Sequence, residues 1–365
     1  MSAEKLVSEF VKEAPPYVVG ADEQSKTMRP GVTKLLQLAT NENPFGTSPM
    51  ACEAMKAQAP LSNRYPDVRA QALRIKLAAK HGLTPEEVMV TEGATAGLGF
   101  ISEVFIYPGD EIILTPPTYP SYYNYIKRCR GKLVEVPMSE DTLVPDFDKV
   151  LAAVNPKTKL IFLCNPNNPT GTLIDSEELH AFQKNLPSHV LLVVDEAYID
   201  FVEDPTYRTM VDAISDEANL IVVRTFSKLY GMAGARIGYL MSNREIVDYL
   251  QRDSTGFCCS RMGLYGAEAA LDDQAFQEMT RNGVRESRHI LVSCMKELGF
   301  RVWPSHANFI YFDPMCDVKW FADRMLDYGI IIRGNFKKNR ISLGTPEEDY
   351  FVCNAMREII AAIKK

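Results

Sequence analysis

The feature that most constrains this chain of 365 residues is a series of short apolar segments that alternate with helix-like segments between about residues 70 and 240. Most of these segments are continuous runs of Val, Ile and Leu, which is typical of strands buried on both faces of a sheet. Strand–helix alternation predicts parallel βαβ units with helices on each side of the sheet. The predicted strands are residues 88–93, 111–117, 132–137, 159–166, 189–198 and 219–228, and helix-like segments include 95–106, 119–130 and 175–185.

The last third of the chain has a different pattern. Residues 263–298 are predicted to be mainly helical, and short strands follow around Phe309–Phe312 and Ile330–Arg333. In the final segment Thr345 is a candidate N-cap and Glu348 completes a capping box, with Pro346 at the first helical position. The predicted apolar face of this helix contains Val352, Met356, Ile359, Ile360 and Ile363.

Together these patterns predict an α/β fold of two domains, because a chain of this length exceeds one ordinary small core. We expect a large domain over residues 45–250 with a mostly parallel, seven-stranded type of sheet between helices. Residues 1–44 are expected to form an N-terminal arm, and residues 251–365 a small α+β domain.

The composition argues against several classes of binding partner, namely nucleic acids, membranes and metal ions. The formal net charge of −7 argues against a nucleic-acid partner, since no basic surface dominates. No apolar run approaches the roughly 18 residues that span a bilayer, and the N-terminal residues do not resemble a signal peptide. The eight cysteines are scattered without a CxxC pair. This favours reduced thiols in a cytoplasmic protein over a disulfide framework or a metal site.

Polar residues follow three consecutive predicted strands. The strand at 159–164 ends in residues 165–171 (NPNNPTG), the next in residues 195–198 (DEAY), and the third in residues 224–228 (RTFSK). In an open parallel sheet, ligands bind beyond the carboxyl ends of the strands. An amide, a carboxylate, a phenol, hydroxyls and an amine should therefore meet at one crevice.

These are the groups that pyridoxal phosphate chemistry needs. The amine of Lys228 can form a Schiff base with the aldehyde of the cofactor. Asp195 can hold a proton on the pyridine nitrogen, which makes the ring an electron sink. Asn168 and Tyr198 can bind the phenolic oxygen of the ring.

The cofactor phosphate is a dianion that favours backbone N–H groups at a helix start together with fixed cations. The segment that follows the first predicted strand opens a helix, and two hydroxyls and a guanidinium lie near Lys228 in the sequence. The candidate phosphate ligands are Gly93, Ala94, Thr95, Thr225, Ser227 and Arg236.

Each of these residues has a structural explanation when it is considered alone. The NPNNPTG segment is also an ordinary turn-rich loop, Asp195 could cap the turn that follows it, and Arg236 could pair with a surface acid. Their order on successive buried strands favours the cofactor site.

With these motifs the chain resembles the fold-type I pyridoxal-phosphate-dependent aminotransferases, specifically the histidinol-phosphate aminotransferase-like branch. The resemblance extends from Pro16 to the C-terminus. It includes LATNENPFGTSP (38–49), NRYPD (63–67), PPTYPSY (116–122), NPNNPTG (165–171), DEAYIDF (195–201), RTFSKLYGMAGARIGY (224–239) and RISLGTPEE (340–348).

For the cofactor, the resemblance implies that Lys228 is both the Schiff-base lysine and the base that moves the substrate proton. It also implies that Tyr119 stacks on the ring, whereas the neighbouring Tyr122, Tyr123 and Tyr125 are expected to be core aromatics. Tyr65 resembles a residue that reaches the cofactor phosphate of a partner subunit, which implies a homodimer with shared active sites.

For the substrate, the resemblance implies that Arg340 binds an acidic group, with Arg333 as a second candidate. Asn43 and Tyr17 would come from an N-terminal segment that covers the entrance. The implied activity is transfer of an amino group from a small-molecule donor to a 2-oxo acid, as in histidine biosynthesis.

Three segments depart from the pattern of this branch: residues 91–98 (TEGATAGL), residues 254–263 (STGFCCSRMG), and the short stretch from Arg333 to Arg340. All three are expected near the substrate. Histidinol phosphate and a broad or aromatic range of amino acids therefore both remain open as donors. The alternatives on the same fold are a decarboxylase of a phosphorylated amino acid, a racemase or lyase, and a non-catalytic protein that binds the cofactor.

Overall fold

The structure is a computed structural model that describes residues 6–7, 12, 32 and 35–363. The strands in chain order are β1 (Leu36–Gln37), β2 (Val88–Thr91), β3 (Glu111–Leu114), β4 (Lys132–Glu135), β5 (Thr158–Cys164), β6 (Leu191–Asp195), β7 (Leu220–Thr225), β8 (Gly238–Met241), β9 (Arg301–Val302), β10 (Phe309–Asp313), β11 (Ile330–Ile331) and β12 (Asn339–Ser342).

The α-helices alternate with the first strands and then dominate the last third of the chain. In chain order they are α1 (Pro49–Gln58), α2 (Gln71–His81), α3 (Gly93–Phe105), α4 (Ser121–Arg128), α5 (Phe147–Ala153), α6 (Ser176–Asn185), α7 (Arg244–Asp253), α8 (Arg261–Asp272), α9 (Gln274–Glu297), α10 (Val318–Asp327) and α11 (Pro346–Ile363).

The central sheet has seven strands in the order β2-β8-β7-β6-β5-β3-β4. All six strands predicted in this region form, and β3 to β7 pair in parallel as expected. The seventh strand, β8, was not predicted, and it runs antiparallel to both β2 and β7. Its direction follows from its connection, because no α-helix lies between β7 and β8 to carry the chain back across the sheet.

Both faces of the central sheet are covered, which explains the continuous apolar strands. In β5, Leu160 and Phe162 belong to one hydrophobic cluster, whereas Ile161 and Leu163 belong to another. All four side chains are buried. Because successive side chains on a strand point to opposite faces, a sheet between two helical layers needs an apolar residue at every position.

The last third of the chain forms a three-stranded antiparallel sheet in the order β12-β10-β9. The parallel pair β1 and β11 joins the segment before the central sheet to this region. Helix α7 still packs against α3 of the large sheet, and α9 packs against α11. The domain boundary near residue 250 stays a prediction. Within the described residues, no helix is long and apolar enough to cross a membrane.

The predicted start of the C-terminal helix is confirmed. The backbone N–H of Thr345 donates to Oε2 of Glu348 (3.1 Å), and the N–H of Glu348 donates to Oγ1 of Thr345 (3.3 Å). The predicted apolar face is buried except at its end, where Ile363 is 49% exposed because it lies in the last turn.

A buried carboxyl group at the start of α11 predicts a pH-dependent stability. Asp349 is fully buried, and burial raises its pKa to about 7 although the N–H of Gly344 donates to Oδ1 (3.1 Å). Because the folded state holds the proton above the unfolded pKa of about 3.9, the carboxyl contributes stability at low pH. That contribution is lost as the pH rises towards and through about 7.

We expect Asp349→Asn to remove this decline, so that the variant becomes more stable than the wild type at pH 8 by roughly 1–3 kcal/mol. The measurement is the free energy of unfolding in urea at pH 5 and pH 8. Curves for the two proteins that stay parallel across this range would contradict the assignment.

Candidate active site

A cavity of about 730 Å³ opens beyond the carboxyl ends of β5, β6 and β7, where the sequence predicted a site. The lining combines the predicted residues with several from the N-terminal segment and the small sheet. Predicted residues on the lining are Ala94, Thr95, Tyr119, Asn168, Asp195, Tyr198, Thr225, Ser227, Lys228, Arg236, Arg333 and Arg340.

Asp195 is the last residue of β6 and is buried. Burial raises its pKa to about 6. Two donors partly offset this effect, because the Tyr122 hydroxyl donates to Oδ2 (3.0 Å) and the backbone N–H of Ala197 donates to Oδ1 (3.1 Å). A carboxyl group tuned in this way can share a proton with a ring nitrogen that faces it.

Tyr122 is therefore more than the core aromatic that the sequence analysis expected. Its ring is fully buried and stacks on Phe162, with 4.8 Å between the ring centroids. Its hydroxyl is the side-chain donor to Asp195. No sequence signal distinguished it from Tyr123 and Tyr125, because all three lie close together in α4.

Lys228 follows β7, and its amine faces the cavity. Its Nζ donates to the carbonyl oxygen of Asn41 (2.9 Å) and lies 5.5 Å from the ring centre of Tyr198. Burial and then the positive charges of Arg340 and Arg236 lower the pKa of Lys228 to about 8, against the opposing effect of nearby acids. A larger fraction of this amine is therefore uncharged near neutral pH than in an exposed lysine.

The hydroxyl of Tyr198 lies among amide groups. It accepts from Nδ2 of Asn41 (3.1 Å) and from Nδ2 of Asn168 (3.4 Å). Asn168 and Tyr198 are thus in contact, as expected for residues that bind the same oxygen, and Asn41 contacts the same hydroxyl. These donors can bind a phenolate oxygen placed between them.

The opposite end of the cavity can hold a phosphate. Helix α3 begins at Gly93, so its first backbone N–H groups have no partner within the helix. Gly93 has φ +80°, and a Cβ there would lie 2.4 Å from Nη2 of Arg236. Only glycine lets this guanidinium lie so close to the helix start. Thr225 and Ser227 add two hydroxyl groups to this end of the cavity, and Oγ1 of Thr225 donates to Oγ of Ser227 (2.9 Å).

Two arginines face the site: Arg340 lies in β12, and Arg333 pairs with it from the segment after β11. Nη1 of Arg340 donates to Oδ1 of Asn168 (2.7 Å), and Nη2 donates to the carbonyl oxygen of Ala39. Nε of Arg333 donates to the same carbonyl (3.2 Å). Both guanidinium groups are thus oriented by one backbone oxygen. A guanidinium is the side-chain group best suited to bind a carboxylate or a phosphate.

Three predicted residues in the described part of the chain are not on the cavity lining: Gly93, which lies beside Arg236 at the start of α3, Asn43 and Tyr65. Asn43 instead donates through Nδ2 to the carbonyl oxygens of Lys228 (3.1 Å) and Leu229 (3.0 Å), so it holds the backbone after the lysine. Tyr65 is 78% exposed on the protein surface. Tyr17 lies outside the described residues.

Sequence reasoning missed several residues of the lining. Asn41 and Glu42 lie in the LATNENPFGTSP motif beside Asn43, so the motif identified the segment but not which amide enters the site. Thr40 lies in the same motif and Ser121 in the PPTYPSY motif, and the other missed residues lie in loops and helices where no sequence motif indicated a site. The missed polar and aromatic residues are Thr40, Asn41, Glu42, Ser121, Asn124, Asn335 and Phe336.

The residues present fit pyridoxal phosphate, whose ring would supply the electron sink for the negative charge that forms when the substrate loses a proton. Gly93 and Arg236 would hold its phosphate, and the carboxyl group of Asp195 would bind the protonated ring nitrogen. Lys228 can form the covalent bond to the cofactor and, once released, can move a proton as a base. The guanidinium of Arg340 can bind an anionic group of a substrate.

Comparisons with known proteins agree with this geometry. The family model for aminotransferase class I and II matches residues 33–355. The histidinol-phosphate aminotransferase of Brevibacillus brevis is 35% identical over 360 residues, which cover 97% of this chain and 98% of that protein. The protein of the same name from Moorella thermoacetica is 35% identical over 97% of this chain and 92% of its own length.

Solved structures agree as well. The histidinol-phosphate aminotransferase of Sinorhizobium meliloti in complex with pyridoxal-5'-phosphate has a TM-score of 0.90 and is 29% identical, over 98% of each chain. The aspartate aminotransferase of Thermus thermophilus with maleate has a TM-score of 0.85 and is 26% identical, over 97% of this chain and 99% of that chain. The fold is therefore shared with aminotransferases that are named for different substrates.

The lowered pKa of Lys228 gives a testable pH dependence. In the apoenzyme, we expect acylation of this amine to increase as the pH rises through about 8, because the uncharged amine is the nucleophile. Arg340→Gln removes a positive charge that disfavours the ammonium form, so the midpoint should move upwards. Peptide mass spectrometry after a short pulse of an amine-acylating reagent measures the labelled fraction.

Lys228→Ala is the control for this experiment. Its peptide should take no label, and the protein should show no visible absorbance band after mixing with the cofactor and dialysis. A wild-type midpoint near that of an ordinary lysine, or one that Arg340→Gln leaves in place, would show that the amine is not tuned by its surroundings.

Proposed function

The chain is a pyridoxal-phosphate-dependent enzyme of the aminotransferase class I and II family, and we propose that its amino donor is a phosphorylated amino alcohol of the histidinol phosphate type. The acceptor is a 2-oxo acid. The main support is the 35% identity over nearly the whole chain to relatives named for this activity.

The two arginines at one end of the cavity, Arg340 and Arg333, support this donor. A phosphorylated amino alcohol carries its phosphate close to the carbon that bears the amino group, and a 2-oxo acid carries a carboxylate in a similar position. Both reactants can therefore use Arg340, with Arg333 beside it on the cavity wall. One anion site for both half-reactions is consistent with a single cavity that the two reactants occupy in turn.

A second donor class is favoured by the aromatic residues of the lining. Tyr119 and Phe336 both face the cavity. Apolar and aromatic surface of this kind can accept the side chain of an aromatic amino acid. The family shares its fold among donors of several kinds, so the site residues rather than the fold decide between these two classes.

The test is a half-reaction screen with the holoenzyme. Histidinol phosphate, aromatic amino acids and a panel of other amino acids are each mixed with the enzyme, and loss of the visible absorbance band is followed together with release of the oxo product. We expect the fastest conversion with histidinol phosphate, because only that donor presents a dianion to the two arginines.

Other outcomes of the screen separate the alternatives. Faster conversion with an aromatic amino acid would overturn the proposed donor but not the reaction. Carbon dioxide release would indicate a decarboxylase, and solvent deuterium at Cα with loss of chirality a racemase. In the same assay, Arg340→Ala should weaken donor binding by at least about tenfold, since hydrogen bonds to charged groups contribute ~1.5–3 kcal/mol.

We also propose a homodimer with shared active sites. Tyr65 is 78% exposed, and its ring lies 4.6 Å from that of Phe257, which is 48% exposed. Exposed apolar side chains in the neighbouring parts of α1, α8 and their loops are typical of an interface. They are Met50, Leu61, Val68, Met262 and Tyr265. A cytoplasmic location is proposed as well, supported by the free state of the eight cysteines.

Tyr65→Phe tests the shared site. If the Tyr65 hydroxyl reaches the cofactor phosphate of a partner subunit, the variant should remain dimeric in sedimentation but hold the cofactor about tenfold more weakly or worse. Tyr107→Phe is a matched control, because Tyr107 is 65% exposed but lies between α3 and β3, at the other edge of the sheet. A fully active monomer, or cofactor affinity unchanged in Tyr65→Phe, would contradict the proposal.

A further inference from the structure

The guanidinium of Arg340 is flanked by two aromatic rings. Its Cζ atom lies 5.3 Å from the ring centre of Phe309 and 5.4 Å from that of Phe336. Phe309 is fully buried in β10, whereas Phe336 is half-buried and lines the cavity. A cation within about 6 Å of an aromatic ring centre is attracted by the ring quadrupole. Phe336 therefore lies beside Arg340 and also lines the cavity.

The ring of Phe336 is itself held in place. It packs against a hydrophobic cluster of Leu143, Trp303 and Tyr311. The indole of Trp303 donates through Nε1 to the carbonyl oxygen of Asp141 (2.9 Å). Leu143 follows β4 of the central sheet, Trp303 follows β9 and Tyr311 lies in β10, so Phe336 packs against residues from both sheet regions.

The backbone that carries Phe336 is a short, closed loop. Arg333 and Arg340 exchange both backbone hydrogen bonds, at 2.9 and 3.0 Å, so residues 334–339 form the loop between them. Nδ2 of Asn339 donates to the carbonyl oxygens of Val318 (3.0 Å) and Arg333 (3.3 Å). This is the segment in which the sequence is shorter than the pattern of its branch. Its closure leaves the middle of the loop little freedom to withdraw from Arg340.

Two hydrogen bonds and a ring then fix one guanidinium. Nη1 of Arg340 donates to Oδ1 of Asn168 (2.7 Å) and Nη2 to the carbonyl oxygen of Ala39. The ring of Phe336 lies beside the guanidinium, and Arg340 is only 5% exposed. An arginine fixed before the ligand arrives loses less side-chain entropy on binding, and partial exclusion of water strengthens its attraction for an anion.

We propose that Phe336 is a positioning residue that holds Arg340 in the orientation that binds the acidic group of the substrate. The inference rests on the proposed role of Arg340 and adds the residue that prepares it. Because the anion is bound alike before and during the chemical step, loss of the ring should raise KM and leave kcat nearly unchanged.

The test uses holoenzyme and maleate, a dicarboxylate without an amino group, as a dead-end probe. Titration by calorimetry should show maleate affinity reduced by roughly 2- to 30-fold in Phe336→Leu, the range that corresponds to a cation–π contact. The donor KM should rise by a similar factor. Phe336→Met also lacks the ring but keeps apolar volume, so either variant that folds suffices. Phe336→Tyr keeps the ring and should bind maleate like the wild type.

Lys337→Ala is the matched control, since Lys337 is exposed on the same loop and does not line the cavity. If Phe336→Leu and Phe336→Met bind maleate as tightly as the wild type while Arg340→Gln loses affinity, the positioning role of Phe336 is overturned and that of Arg340 stands. If Arg340→Gln also keeps its affinity, Arg340 does not bind the anion and both assignments fail. An equal loss of maleate affinity in Lys337→Ala would show that any change in the loop weakens binding, and would overturn the role of the Phe336 ring.

Discussion

The three parallel strands β5, β6 and β7 lie in the middle of a sheet whose two faces are both covered by apolar side chains. No strand residue within this core can carry chemistry without a large desolvation cost. Polar side chains can appear only where the strands end. Since the strands are parallel and in register, their carboxyl ends place Asn168, Asp195 and Lys228 around one cavity. The site exists because the sheet is buried.

The same burial tunes the groups that it brings together. Asp195 is taken from water and its pKa rises to about 6, whereas the pKa of Lys228 falls to about 8 because burial is joined by two nearby arginines. Each shift favours the less charged form of the group. The carboxyl can then share a proton with a ring nitrogen, and the amine can act as a nucleophile near neutral pH. Tyr122 limits the shift of Asp195 by donating a hydrogen bond.

The small sheet and the loop beside it contribute the end of the cavity where we propose that the substrate binds. Arg340 and Arg333 share the carbonyl oxygen of Ala39, and the ring of Phe336 lies beside Arg340 on a loop that the two arginines close. The cofactor end and the substrate end therefore have different origins. The first depends on one sheet, and the second on contacts among the N-terminal segment, the small sheet and a short loop.

The sequence by itself determined the buried parallel strands, the capped C-terminal helix and the candidate cofactor residues that meet at one cavity, because each depends on a local pattern or on the end of a strand. It did not reveal β8, whose direction depends on pairing with β2 and β7. It placed Asn43 in the site where the structure has Asn41. Asn41 has φ +55°, so the segment is not a regular strand whose side-chain directions a sequence pattern could predict. Only the tertiary structure joined Tyr122 to Asp195 and Phe336 to Arg340, because these contacts bring together residues that are distant in the chain or that meet only when a loop closes.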